Sequence, residues 1–417
     1  MIKEKYDRHS KYIKFIIILF LNIFLYFSNT NKNKQIEIFE EEESTYFTTW
    51  ATAVYNIEPP LIDLNHNSIR QIVKISSSGK KIRLKFSNLI GEGDLEIKNV
   101  TIADLVSESE IDKNTMKILT FNNGEEGTII EKGKEIYSDT IYYPLKSLSY
   151  IAISIYFGSV PNELTGHYLS LTFSYFEKGD KTQKRVFSHH NKVAHWYFIS
   201  AIEVSSYTPK KTIVCFGDSI TDGSSRTFDA RNNYPDILSK ILHENEETLN
   251  YAVVNEGIRR NNITTEGIKR YKHDVLDIKG ISHIIVLFGV NDIKGLKVTA
   301  EEIISVYKQI IEQAHNKNIN VYCGTILPFA SFKKGKIWNK NMEKERVKIN
   351  NWIRETKPQD GGFDAFFDFD ELLKDPLNPK NLKNEYDCGD GIHPNLVGYT
   401  KMAEYITKDL TLFTKYQ

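Results

Sequence analysis

Cysteine is scarce: Cys215, Cys323 and Cys388 are the only three in 417 residues. So few thiols exclude a disulfide framework, although a single bridge stays open. No CxxC pair or Cys/His cluster is present, so no metal site is expected, and His189-His190 reads as a polar loop. An excess of one charge is also missing. Lys+Arg and Asp+Glu number 54 each, for a formal net charge of zero. That balance removes any global bias toward nucleic acid or an anionic membrane. Long apolar runs are confined to one place, Phe15–Phe27, where only Asn22 is polar. This is short of the roughly 20 residues a spanning helix needs.

The run follows Lys3, Lys5, Arg8 and Lys11 and precedes "SNTNKNK". A basic start, a short apolar core and a polar exit predict a secretory signal over residues 1–30, hence a secreted protein. No small-x-small cleavage site follows, so the alternative is an uncleaved anchor, the one membrane contact expected. Residues 31–43, ending in the acidic run Glu40–Glu43, read as a linker. Asn99-Val-Thr and Asn262-Ile-Thr are glycosylation acceptors if the chain enters a eukaryotic secretory route.

The remaining composition, 41% hydrophobic and 26% charged, is that of a globular protein, and the length suggests two domains. Residues 44–205 have a period of two. "KIRLKFSN" alternates Ile82, Leu84 and Phe86 with Lys81, Arg83 and Lys85, and "LSLTFSYF" alternates Leu169, Leu171, Phe173 and Tyr175 with Ser170, Thr172 and Ser174. "SYIAISIYF" adds a more apolar run. Such strands, separated by "SSSGKK", "NNGEEG" and "EKGD", predict an all-β sandwich without internal repeats.

Over residues 206–417 apolar strands alternate with helical stretches. "KTIVCFG", "NYAVVNEG", "HIIVLFG", "INVYCGTILP" and "DAFFDF" are each followed by a helix-forming segment. Thr299 and Glu302 form a capping box, and helices are expected from about Asn339 to Lys357 and from about Leu396 to Leu410. The pattern predicts an α/β domain with a doubly wound, flavodoxin-like parallel sheet, whose ligands bind at the carboxyl ends of the strands.

Those strand ends carry the chemistry. The first ends in Gly217-Asp218-Ser219, the second in Asn255-Glu256-Gly257, and the third in Gly289-Val290-Asn291-Asp292. The loop before the last helix holds Asp387, Cys388, Asp390 and His393. Acyl transfer needs a hydroxyl nucleophile, a base, a carboxylate to orient that base, and donors for the oxyanion. Ser219, His393 and Asp390 supply the first three; Gly257 N–H and the Asn291 amide are candidate donors. Asp387 competes with Asp390 as the histidine's partner. Asp218 and Asp222 suit a metal less well than they suit shaping the turn. Asp292 reads as a structural acceptor, and Cys215 as a core residue. Trp50, Trp196, Trp338 and Trp352 are sugar-stacking candidates, although a lone tryptophan is more often core.

In this order the four blocks resemble the GDSL or SGNH hydrolase family, through GDSIT at Ser219, GVND at Asn291 and DGIHP at His393. The family's Ser, Gly, Asn and His correspond to Ser219, Gly257, Asn291 and His393. Arg259, Arg260 and Asn262 depart from its second block. The resemblance spans Lys211 to the C-terminus. It implies Ser219 as nucleophile, His393 as base then acid, and Asp390 as its orienter. It also implies an oxyanion hole of Ser219 N–H, Gly257 N–H and Asn291, and no cofactor. The GxSxG turn of α/β-hydrolases is absent. "TWATAV", "ILTFNNG" and "YSDTIYY" resemble the β-sandwich of a secreted subgroup that includes acetyl-xylan-esterase-like proteins. The expectation is an esterase removing acetyl or other short acyl groups from a carbohydrate. The alternatives are a lipase or lysophospholipase, or an inert glycan-binding protein. Polar segments around the blocks favour the first; "LPFASFKKGKIW" could wall a small pocket.

Overall fold

The computed structural model describes residues 45–58, 62–206, 210–223, 233–296 and 298–414, without the Leu296 side chain. The expected signal segment and linker lie outside them. No helix among the described residues is long and apolar enough to cross a membrane.

The N-terminal region is strand-rich. One sheet runs Thr45–Ala51, Ile199–Ser206, Gly79–Ser87, Ile141–Leu145, with Glu135–Tyr137 also on Gly79–Ser87. A larger one centres on Asn67–Lys74, Tyr150–Phe157 and Leu95–Ser107, paired antiparallel. Ile82, Leu84 and Phe86 are fully buried, as their alternation predicts, in one core cluster with Ile69, Val100 and Ile153. Tyr150–Phe157 is more apolar because both of its faces are covered: Ile151, Ile153 and Ile155 join that cluster, whereas Ala152 packs with Ile72, Tyr175 and Phe187.

"LSLTFSYF" departs from expectation. The chain is extended over Thr165–Tyr168 and again over Ser174–Lys178, but breaks between them. Leu169 and Leu171 take φ of 58° and 56°, in the left-handed region. Ser170 Oγ donates to Thr172 O (2.7 Å) and Thr172 Oγ1 to Ser170 O (3.2 Å), so these side chains satisfy the backbone in place of a ladder. The break moves the chain from a small sheet with His195–Tyr197 and Tyr55–Asn56 to the edge of Asn67–Lys74.

The C-terminal sheet is wholly parallel. Its order is Tyr251–Gly257, Lys211–Gly217, Ile281–Leu287, Asn320–Gly324, Ala365–Phe367. Numbered along the chain this is 2-1-3-4-5, the flavodoxin-like order, whose switch point lies between strands one and three. All its strands but the edge strand Ala365–Phe367 are almost entirely buried, between helices that include Tyr234–His243, Ala300–His315, Lys340–Glu355 and Leu396–Ile406. Thr299 and Glu302 form the expected capping box, and Asn339 caps Lys340–Glu355.

Tyr46–Gln417 forms one compact unit, so the two kinds of sheet share an interface. The second parallel strand lies at the sheet's edge, and edge N–H groups need partners. Thr52 forms a parallel bridge to Asn255, and Val253 N donates to Ser76 Oγ (2.7 Å). An ionic chain also crosses: Lys85 to Glu135 (2.6 Å), Glu135 to His273 (2.9 Å), His273 to Asp274 (2.6 Å) and Asp274 to Arg270 (3.0 Å). Arg270 then donates to Glu256 O, Gly217 O and Asn261 Oδ1, at the ends of the first two strands.

Hydrogen bonds to Asp274 and Glu135 raise the His273 imidazole to about 10. Burial would raise the Glu135 carboxyl, but His273 and Lys85 hold it at about 2. A histidine raised on folding stabilises fully below its unfolded value near 6.5 and loses that contribution as pH rises toward 10. The glutamate's contribution is complete above about pH 4.5. His273→Gln should therefore lower Tm most near pH 5.5, with the gap to wild type shrinking at pH 7.5 and again at 9.5. Thermal melts at the three pH values check this; a gap that widens with pH contradicts it.

Candidate active site

Lys211–Gly217 delivers Ser219 to the carboxyl edge of the parallel sheet. Asp218 caps the short helical turn Ser219–Asp222, its Oδ1 accepting from Ile220 N at 2.9 Å. Burial pushes the Asp218 carboxyl up to about 6, opposed by that N–H and by the charges of Lys294 and His393. The turn closes at Gly223, whose φ of 125° calls for glycine.

Ser219 Oγ lies 2.8 Å from His393 Nε2, and His393 Nδ1 lies 2.6 Å from Asp390 Oδ2. Asp390 Oδ1 accepts from the backbone N–H groups of Ile392 and His393, each at 3.0 Å. Burial would raise the Asp390 carboxyl, but the His393 hydrogen bond and charge and these N–H groups hold it well below the ordinary carboxylate range. It therefore remains an anion that can orient the imidazole and balance an imidazolium. Asp387, its competitor, instead shapes the loop, accepting from Gly389 N (2.7 Å), Asp390 N (3.1 Å) and Gly391 N (3.1 Å).

Gly257 meets this turn backbone to backbone. A Cβ there would stand 2.3 Å from Asp222 N, so only glycine lets the second strand support the nucleophile turn. Its N–H, however, donates to Asn255 Oδ1 at 2.9 Å. Contributing to an oxyanion hole requires Asn255 to release it. Ser219 N–H has no partner among the described residues. Asn291 Nδ2 donates to Asn261 O at 3.0 Å, which leaves its second N–H available.

Lys294 is a residue the motifs did not single out. Its ammonium donates to Asn291 Oδ1. An amide has one oxygen end and one nitrogen end, so this bond holds Nδ2 in the donor orientation. Lys294 Nζ also lies 5.3 Å from the centre of the Phe332 ring. The neighbouring segment Ser331–Phe332 abuts the histidine loop: a Cβ on Gly391 would stand 2.5 Å from Ser331 C. Phe332 is half-buried, whereas Phe329 is wholly core. The departures at Arg259 and Arg260 also find places. The Arg259 guanidinium pairs with Asp222 (3.2 Å) and donates to Gly223 O, and Arg260 takes a left-handed φ of 63°.

The other candidates lie elsewhere. Asp292 accepts from Ile263 N, Thr264 N and Thr264 Oγ1, a structural role. Cys215 is buried in its strand, and Cys388 is half-buried and outside any disulfide. Trp50 and Trp196 pack edge to face at 5.1 Å in the N-terminal core, and Trp352 stacks on Tyr307. Trp338 lies partly buried beside Lys380. Among the described residues one group could gather a metal ion: donor atoms of Cys388, Asp390 and His393 lie within 4.8 Å of one another. Two of those three are already committed to the Ser219 relay.

Removing the Asn291 amide should cost about 10²–10³ in kcat with KM little changed. Lys294→Met should cost about 10–100-fold, the scale of a hydrogen bond to a charged group. Because both act through one amide, the double variant should match Asn291→Ala alone. Steady-state kinetics on p-nitrophenyl acetate test this, and independent multiplying losses would separate Lys294 from Asn291.

Residues 215–401 match the model of the GDSL-like lipase/acylhydrolase family. No curated protein matches the chain. Solved structures similar to its C-terminal half include a lipase/acylhydrolase from Enterococcus faecalis, at 21% identity over 48% of this chain and 95% of that one, TM-score 0.38. A catalytic mutant of the acetylxylan esterase Axe2 from Geobacillus stearothermophilus is 18% identical over 48% and 93%, TM-score 0.38. A member of the lipolytic protein G-D-S-L family from Veillonella parvula is 20% identical over 48% and 98%, TM-score 0.36.

Proposed function

Residues 215–401 are a GDSL-like lipase/acylhydrolase domain, and from that premise we propose that the protein is a serine esterase acting on short acyl groups, acetyl foremost, carried by a carbohydrate. The observation that supports it most is the hydrogen-bonded relay from Ser219 through His393 to Asp390, at 2.8 and 2.6 Å. In this reading His393 Nε2 takes the Ser219 proton as Oγ attacks the ester carbonyl. Ser219 N–H and the free Asn291 N–H stabilise the oxyanion. The imidazolium then protonates the departing alcohol, and water reverses the sequence to release the acid. No metal or cofactor enters the scheme.

The short acyl chain is supported by the surroundings of the relay. Phe332 offers one half-buried ring, with Lys294 and Lys333 over it at 5.3 and 5.7 Å. Such a rim suits a hydrated, hydroxyl-rich leaving group better than a long apolar tail. We also read residues 44–205 as a β-sandwich domain, residues 206–417 as the hydrolase domain, and residues 1–30 as a secretory signal or anchor that places the enzyme outside the cell.

Hydrolysis of p-nitrophenyl esters should fall steeply beyond a four-carbon acyl chain, and acetylated xylan or a similar glycan should release acetate. Ser219→Ala should lower kcat by several orders of magnitude with folding intact. Since each accommodated methylene is worth about 0.8 kcal/mol in an apolar pocket, a lipid enzyme would show the reverse trend. Equal turnover of eight- to twelve-carbon esters would favour the lipase reading. No turnover of any ester would favour a binding protein.

A further inference from the structure

Among the described residues, the N-terminal strands make a polar side-chain contact with the nucleophile turn through His167. His167, on the strand Thr165–Tyr168, is 2% exposed. Its Nδ1 lies 2.8 Å from Ala53 O and its Nε2 3.2 Å from Asp222 Oδ1. A carbonyl can only accept, so Nδ1 carries a proton. Nε2 is thereby the ring atom turned toward the Asp222 carboxyl. Tyr55 meets the ring edge-on at 5.7 Å, and Trp196 lies tilted at 5.8 Å, which fixes its direction.

Asp222 is the last residue of the turn that begins at Ser219. One helical turn joins them rigidly: Asp222 N donates to Asp218 O (2.9 Å) and Gly223 N to Ser219 O (3.0 Å). The Asp222 side chain is buried, and a buried carboxylate is costly unless paired. One partner, Arg259, comes from the hydrolase domain at 3.2 Å. The other, His167, comes from a strand 55 residues earlier in the chain.

We propose that His167 is a positioning residue for ester hydrolysis: through Asp222 it holds the turn so that Ser219 Oγ stays within reach of His393. The strand-rich region is then part of the catalytic apparatus and not an appended module. Nucleophile placement tolerates errors of only about 0.5 Å, so a turn that relaxes around a half-compensated carboxylate loses rate before it loses substrate binding. A cavity of about 50 Å³ with a mixed polar and apolar lining, His167, Asp222, Trp50 and Asn233 among it, adjoins the pair. Truncating His167 enlarges it and opens Asp222 to water.

The inference rests on the esterase reading, and the full chain tests both. Wild type, His167→Leu, His167→Gln and His167→Leu/Asp222→Asn are compared on p-nitrophenyl acetate, with active sites counted by a serine-directed phosphonate. His167→Leu should lose 10–100-fold in kcat per titrated site, with KM within about twofold. His167→Gln, which keeps a donor for Asp222, should recover part of that loss, as should the double variant, which removes the stranded charge. Unchanged kcat per titrated site in His167→Leu would make the residue purely structural and overturn the proposal. A full kcat loss that neither second variant relieves would also overturn it. A wild type that cleaves no ester and takes up no phosphonate would instead defeat the esterase reading.

Discussion

A serine hydroxyl is a poor nucleophile until an imidazole waits within hydrogen-bond reach of it. Here the two groups are 174 positions apart in sequence and 2.8 Å apart in space. Much of the C-terminal architecture maintains that one distance. The parallel sheet brings Ser219 to its carboxyl edge, and the loop before Leu396–Ile406 brings His393 over it. Each half is pinned locally: the serine turn by the Asp218 cap and the bare backbone of Gly257, the histidine loop by Asp387 and Asp390.

The same distance explains why the interface with the N-terminal strands is polar and ionic where it nears the site. An apolar contact would hold the two regions together but would not set the angle of a four-residue turn. His167 and Arg259 grip Asp222 from opposite regions, and Arg270 ties the ends of the first two parallel strands to the chain of charges leading to Lys85. These groups are directional, so they fix orientation as well as proximity.

The parallel sheet and its order of elements were legible because nearly continuous apolar strands between amphipathic helices admit few other arrangements. Ser219 and Asn291 were legible as types at strand ends and Asp390 and His393 as types in the loop before the last helix, and the match of the Asp390–His393 spacing to the family's motif separates Asp390 from Asp387. Four features were harder to read. Leu169–Phe173 alternates like a strand, yet Ser170 and Thr172 bond to the backbone locally, and alternation alone does not register that competition. The Gly257 N–H is taken by Asn255, two residues away, a contact that depends on a side-chain rotamer. Lys294 left a faint signal, three residues from Asn291. His167 left none, because its role exists only once two distant segments have packed.

The most direct measurement is where an activated phosphonate ester attaches. Incubated with the full chain and digested, it should leave a covalent adduct on the peptide containing Ser219 and on no other serine, and His393→Ala should slow its formation by orders of magnitude. An adduct on a different residue, or none at a concentration that labels serine esterases, would contradict the assignment of Ser219 as the nucleophile.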